Sequence, residues 1–235
     1  MATTFKSLRS EDVVSTRSLL HEAIPITGSI VSGTYGDDNI KNYSHGMFQS
    51  VYDYPYLSSS ANHIFDLTAG YAATSGLSSS VSVQNSKKIN LYNQMAQVLM
   101  GFDVTGSVQL FDEDGDLSAG GNKLRECIFI NFSRLLTKDE IKKGSFTLEL
   151  GVNEEFGLPF NSRIQLKDTS AETQFKVNSP AGEYGILYGT NSHGSQLLTA
   201  DNPNETVKAG LLFYQAGVAV LTGSVFGTLL SSSVQ

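Results

Sequence analysis

The chain has no tryptophan, one cysteine and five prolines in 235 residues, and only 17% of its side chains are charged. A single cysteine, Cys127, excludes an intramolecular disulfide framework and fits a chain folded in a reducing compartment. With no histidine close to it in sequence, Cys127 reads as a buried, inert thiol beside a strand. Positive charge is in short supply: 16 Lys and Arg stand against 23 Asp and Glu, a net charge of −7. That balance argues against non-specific nucleic-acid binding, which needs a basic surface to displace counterions. It argues equally against an anionic membrane surface as partner. No apolar run reaches the roughly 18–20 residues of a membrane span, and the N-terminal stretch MATTFKSLRSEDVV lacks the apolar core of a signal peptide. The most apolar stretch, GLLFYQAGVAVLTGSVFGTLL at 210–230, is broken by Gln215 and several glycines and reads as two buried strands.

Catalytic signatures are missing too. No GxSxG elbow and no P-loop is present. His21, His45, His63 and His193 are scattered, with no i, i+4 pair and no CxxC partner, so they read as ordinary histidines. No cofactor and no enzymatic activity is expected.

What is present is β-forming. Glycine (22 residues), serine and threonine are abundant and are poor helix formers, while 13 Phe and 10 Tyr supply a core. In ECIFINFSRLLTKDEIKKGSFTLEL (126–150), Ile128, Ile130 and Phe132 alternate with their neighbours, as do Phe146, Leu148 and Leu150 after Gly144. Thr137–Glu140 offer one possible helical turn between them. Period-two alternation on both sides of a polar connection is the signal of half-buried strands. Further strands are expected at 26–35, 64–71, 106–111, 163–167, 174–177, 184–188, 211–214 and 218–222. Gln215-Ala216-Gly217 is expected to be a tight connection with Gly217 at positive φ. One helix is expected at 87–100, where Tyr92, Met95, Ala96 and Leu99 share a face joined by Leu91 and Val98, with Gly101 at its C-terminal cap. The Ser-rich segment 77–86 reads as a mobile connection.

The fold expected is therefore mainly β, an antiparallel β-sandwich or barrel-like domain with one amphipathic helix and an N-terminal arm. Its divisions are the arm at 1–25, a β-rich region at 26–104 containing the helix, a C-terminal β domain at 105–225 and a tail at 226–235. The predicted core comprises Ile128, Ile130, Phe132, Phe146, Leu148, Phe213, Val218 and Val220.

Two clusters invite a functional reading. Asp112, Asp114 and Asp116 in FDEDGDLSAGGNK resemble the first half of a calcium loop, where alternate carboxylates gather around a hard cation. The pattern then fails, with Leu117 where the loop has glycine and Lys123 where it has a bidentate glutamate. An acidic hairpin loop between two strands explains the same letters, and no metal is expected. In MFQSVYDYPYLSSS, Phe48, Tyr52, Tyr54 and Tyr56 gather around Pro55. Tyrosine combines large apolar area with a polar tip and suits interfaces, and it equally suits a loop packed on its own core. Both readings stand.

Three elements together resemble a β domain of virion structural proteins from contractile-tailed bacteriophages, especially those of marine and cyanobacterial hosts. Ile141, Lys142, Gly144, Ser145 and Phe146 match an "I-K-x-G-S-F" turn and strand. Gly185, Leu187 and Tyr188 match a "G-x-L-Y" strand. Gly210, Phe213, Tyr214, Gly217, Val220, Leu221 and Thr222 match "G-x-I-F-Y-x-x-G-x-x-V-L-T". The resemblance implies a tail, baseplate or neck component in the virion, assembled in the host cytoplasm. Its partners would be copies of itself, in a six- or three-fold ring, and other virion proteins. The alternative from the residues is a carbohydrate- or receptor-binding β module, possible calcium assistance coming from the Asp112–Asp116 loop.

Overall fold

The computed structural model describes residues 39–78, 85–117, 121–136, 138–151, 163–191, 195–198 and 202–226, all within one compact unit spanning 33–235. The expected arm at 1–25, the strand at 26–35 and nearly all of the tail lie outside the described residues.

In chain order the strands are β1 (Ile40–Asn42), β2 (Gln49–Tyr52), β3 (His63–Tyr71), β4 (Phe111–Asp112), β5 (Lys123–Leu124), β6 (Glu126–Asn131), β7 (Thr147–Gly151), β8 (Arg163–Lys167), β9 (Tyr184–Asn191), β10 (Lys208–Phe213) and β11 (Val218–Thr222). The helices are α1 (Asn85–Leu99) and a single turn, α2 (Ala171–Gln174). Nine strands form one antiparallel sheet in the order β1-β2-β3-β6-β11-β10-β9-β8-β7, and β4 pairs only with β5. The molecule is mainly β and antiparallel, as the alternation predicts. No helix among the described residues is long and apolar enough to cross a membrane.

Both faces of the sheet are buried, which is why β10 and β11 read as nearly unbroken apolar runs. On one face α1 and the β4–β5 hairpin cover Cys127, Phe129, Leu211, Phe213, Val218 and Val220. Tyr92 of α1 fixes this layer: its hydroxyl donates to the Leu124 carbonyl (2.6 Å) and accepts from the Phe111 amide (3.3 Å). The other face gathers Ile130, Ile164, Leu166, Leu187, Leu212 and Leu221. There the rings of Phe65, Phe132 and Phe146 touch in a chain, with centroids 5.5 and 5.8 Å apart. Phe65 lies on β3 and Phe146 directly precedes β7, strands far apart in the sheet order. The sheet therefore curls until its two sides share one core, giving the sandwich-like architecture.

Several expectations need correction. The division at 104/105 runs through one continuous sheet, because β3 pairs with β6 along Asp66↔Asn131 to Tyr71↔Glu126. Asn85 and Ser86 are the first residues of α1. Val98 is 67% exposed, since the face turned to the sheet carries Tyr92, Ala96 and Leu99 with Met95 at its side. The 106–111 strand shrinks to β4 plus a bridge from Val108 to Phe102. At 174–177, Gln174 ends α2 and only Lys176 bridges to Tyr184. The helical turn after β6 lies at Ser133–Leu135, ahead of the expected place. Of the predicted core, Ile130, Phe213, Val218 and Val220 are buried, while Ile128, Phe132, Phe146 and Leu148 are half-buried at the seam of the curl. Gly217 takes the expected positive φ, +64°.

Candidate interaction surface

Register alone assembles the surface around β2. Its pairing with β3 sets Ser50 opposite Asp66 and Tyr52 opposite His63. The Tyr52 ring stacks on His63 (5.1 Å) and touches Tyr56 (6.0 Å). At the other end of β2, Phe48 packs on Tyr43 (4.8 Å) and His45 (5.1 Å), and Lys41 Nζ lies 5.1 Å over the Tyr43 ring. Phe48 thus belongs to one ring cluster and Tyr52 and Tyr56 to another, the two flanking β2. Tyr54 (55% exposed) and Leu57 (80% exposed) stand out from the turn beyond.

That turn is clamped. The Asn62 amide donates to Asp53 Oδ1 (2.7 Å), Asn62 Nδ2 to Asp53 Oδ2 (2.9 Å), and the Asp53 amide to the Asn62 carbonyl (3.1 Å). Burial pushes the Asp53 carboxyl up, but the bonds from Asn62 outweigh it and hold it below its ordinary value. The exposed rings are therefore presented by a pre-ordered turn, which lowers the entropy cost of binding.

The same register brings together a serine, an aspartate and a histidine that sequence reading treats as unrelated. Ser50 Oγ (2.6 Å) and His63 Nε2 (2.7 Å) both donate to Asp66 Oδ1, and Tyr43 OH lies 3.2 Å from Ser50 Oγ. A nucleophile must face a base that takes its proton. Here the aspartate sits between serine and histidine, and Ser50 is only 1% exposed. The arrangement ties β2 to β3 and leaves the hydroxyl without an imidazole to activate it.

The carboxylates of Asp112, Asp114 and Asp116 do converge, with ligand oxygens all within 4.8 Å of one another. The register explains the departure at Lys123: it is the cross-strand partner of Asp112, and its ammonium pairs with Asp112 Oδ2. Asp112 is fully buried, so that ammonium supplies the neutralising charge a buried carboxylate requires. Leu117 takes φ +58°, the left-handed conformation that glycine supplies in calcium loops. The loop joins two paired strands, β4 and β5. Cys127 is buried and its thiol is pushed up by burial, away from thiolate chemistry.

One organising residue, Asp168, carries no local signature. It is 1% exposed and lies just after β8. Its Oδ2 accepts from the Gly144 amide (2.8 Å) and the Tyr214 hydroxyl (3.1 Å), and its Oδ1 from the Phe146 amide (2.9 Å). The Tyr214 carbonyl accepts from the Ile141 amide (3.1 Å). Gly185 completes the arrangement, since a Cβ there would lie 2.1 Å from the Tyr214 hydroxyl oxygen. Gly144 and Phe146, from one stretch of the chain, and Tyr214, from another, meet at this carboxylate, and Gly185 leaves room for the phenol. Burial, then the Asp168 charge, raises the Tyr214 phenol well above its ordinary range.

Compared with protein-family models, with curated proteins and with solved structures, the chain finds no match.

Proposed function

We propose that this chain is a non-enzymatic structural protein of a tailed-bacteriophage virion, acting by subunit contacts in a tail, baseplate or neck. The carrying observation is the pair of aromatic clusters flanking β2, with Tyr54 and Leu57 exposed on a turn clamped by Asp53 and Asn62. Rings held in place at low entropy cost, beside polar Ser58, Ser59 and Ser60, have the make-up of an interface core with its rim. The phage setting rests on the three strand-and-turn elements. A ring of copies, six- or three-fold, follows from the rotational symmetry of contractile-tail parts, each contact burying about 1,200–2,000 Å². The experiment is a structure of the assembled particle. Finding Tyr52, Tyr54 and Tyr56 all in solvent, or the protein missing from purified particles, refutes the reading.

A second reading, a carbohydrate- or receptor-binding module assisted by calcium, is favoured by the convergence of Asp112, Asp114 and Asp116. Calcium would have to displace Lys123 from Asp112. A melt with calcium and then with chelator separates the two: a ligand at about 100 times its Kd adds roughly 2.7 kcal/mol, and the assembly reading expects no shift.

A further inference from the structure

β3 is nine residues long and β2 is four, so β2 covers only part of it. Their pairing runs from Tyr52↔His63 to Gln49↔Leu67 and stops there. Beyond Leu67, β3 has no ladder partner on the β2 side among the described residues, and its one printed link there is the Thr68 hydroxyl donating to the Met47 carbonyl. Parity shows which backbone groups are left. The Ala72 amide donates to the Arg125 carbonyl (2.7 Å), continuing the register Gly70↔Cys127 and Thr68↔Phe129. Even-numbered residues therefore bond to β6, and Ala69 and Tyr71 turn their N–H and C=O outward. No hydrogen-bond partner for these groups is found among the described residues, and Ala69 is exposed.

A groove of about 340 Å³ opens at this uncovered edge, lined by Met47, Phe48, Thr68, Ala69, Lys88 and Ile128 among others. Among the described residues, Lys88 is the one charged residue in its lining. Lys88 is held beside the edge because α1 packs backbone-to-backbone on Gly70, where a Cβ would lie 2.9 Å from the Lys88 carbonyl. Burial lowers the Lys88 amine below its ordinary value. Lys87 reaches the His45 carbonyl (3.5 Å), and Lys41 lies over Tyr43, another lining residue. No carboxylate among the described residues forms an ion pair with any of these three lysines.

We propose that this groove binds an extended acidic peptide segment, which adds a strand to β3 at Ala69 and Tyr71 and sets its carboxylates against Lys88 and the neighbouring lysines. Strand addition takes affinity from main-chain hydrogen bonds and specificity from alternate side chains. An incoming strand would lie end to end with β2, over the apolar floor of Met47 and Ile128. The proposal does not depend on the virion reading and applies to the isolated protein.

The test uses the full chain and a short blocked peptide alternating valine with glutamate, titrated by fluorescence anisotropy and followed by amide hydrogen exchange. Saturable binding should slow exchange at Ala69 and Tyr71 and weaken as salt rises. The same peptide with lysine for glutamate, and glutarate as a small dicarboxylate, should bind at least about ten-fold more weakly, and Lys88→Gln should lose about ten-fold. Ala69→Pro removes the outward amide while sparing the ladder to β6, so it should abolish binding with the melting temperature nearly unchanged. The protection of Ala69 and Tyr71 in the unmodified chain stands independently of that variant. Absence of saturable binding, equal binding of the lysine peptide or glutarate, or unchanged affinity in a folded Ala69→Pro protein overturns the proposal. The lysines would then serve only to keep this edge from pairing with other sheets.

Discussion

Replacing Asp168 with alanine is expected to be among the most damaging single changes in the described part of the chain. The carboxylate is 1% exposed and accepts two backbone amides and one phenol. Removing it leaves the amides of Gly144 and Phe146 facing a small void. A buried donor without a partner costs about 1–3 kcal/mol, and the bond from Tyr214 is lost as well. Losing a buried carboxylate also removes its own desolvation cost, which offsets part of this. The net loss is about 3–5 kcal/mol, and at about 2–4 °C per kcal/mol for a domain of this size the melting temperature should fall by roughly 6–20 °C. Asp168→Asn discriminates the cause. Its oxygen can still accept from Phe146, but its amide nitrogen faces the Gly144 N–H, donor against donor, while the Tyr214 hydroxyl can rotate to accept. It should fall between wild type and alanine. Tyr214→Phe, which removes one bond to a charged group, should cost about 1.5–3 kcal/mol. The assay is urea unfolding by circular dichroism, read as a shift in midpoint. If Asp168→Ala unfolds within error of wild type, or Asp168→Asn is more stable, these stretches are not held together by this carboxylate.

Four further outcomes are expected. Lys123→Met leaves the Asp112 charge buried without its partner and should cost about 3–5 kcal/mol, read in the same urea assay, whereas millimolar calcium should leave the wild-type melting temperature unmoved. Phe146→Ala opens the ring chain at the seam of the curl, and because the ring is half-buried it should cost about 2 kcal/mol, below the full core value. Tyr54→Ser should leave stability within about 0.5 kcal/mol, as an exposed site does, yet reduce incorporation into assembled particles. The folded Asp53 carboxyl titrates below its unfolded value, so the stability it contributes is complete above the unfolded value near pH 4 and lost as pH falls through the folded one. The protection factor of the Asn62 amide, taken relative to the intrinsic exchange rate at each pH, should therefore fall on acidification, and Asp53→Asn should abolish that dependence.

Local signals in the sequence were sufficient for local structure. The alternation of Ile128–Phe132, the apolar stretches that became β10 and β11, the Tyr92–Ala96–Leu99 face of α1 and the Gly217 connection all follow from neighbours a few residues apart. Three features depend on long-range pairing and were not legible. The division near 104 fails because β6 inserts between β3 and β11, which no local pattern reports. The Ser50–Asp66–His63 arrangement was not legible because Ser50 reaches Asp66 only through the β2–β3 register. Asp168, in LKDTS, resembles an ordinary turn aspartate, and its partners lie 24 and 22 residues before it and 46 after. The acidic loop was read correctly as a hairpin between strands, but Lys123 was counted only as a departure from a calcium pattern. Its physical role, cross-strand neutralisation of Asp112, appears once the β4–β5 pairing is known.

The place of β6 in the sheet has a consequence for biosynthesis. One of its neighbours, β3, precedes it in the chain, while the other, β11, is the last strand among the described residues. On the ribosome β1, β2, β3 and β6 can zip together early, but the side of β6 that receives Val218–Thr222 stays open until those residues have emerged. The β10–β11 hairpin must then slot between β6 and β9. A sheet closed by its final hairpin folds slowly, because the pairing that completes it is the most distant in sequence. Until it closes, an apolar edge is exposed to other nascent chains. Loss of the C-terminal hairpin would remove the centre of the sheet rather than trim its margin, and chains ending before Val218 should accumulate as aggregates.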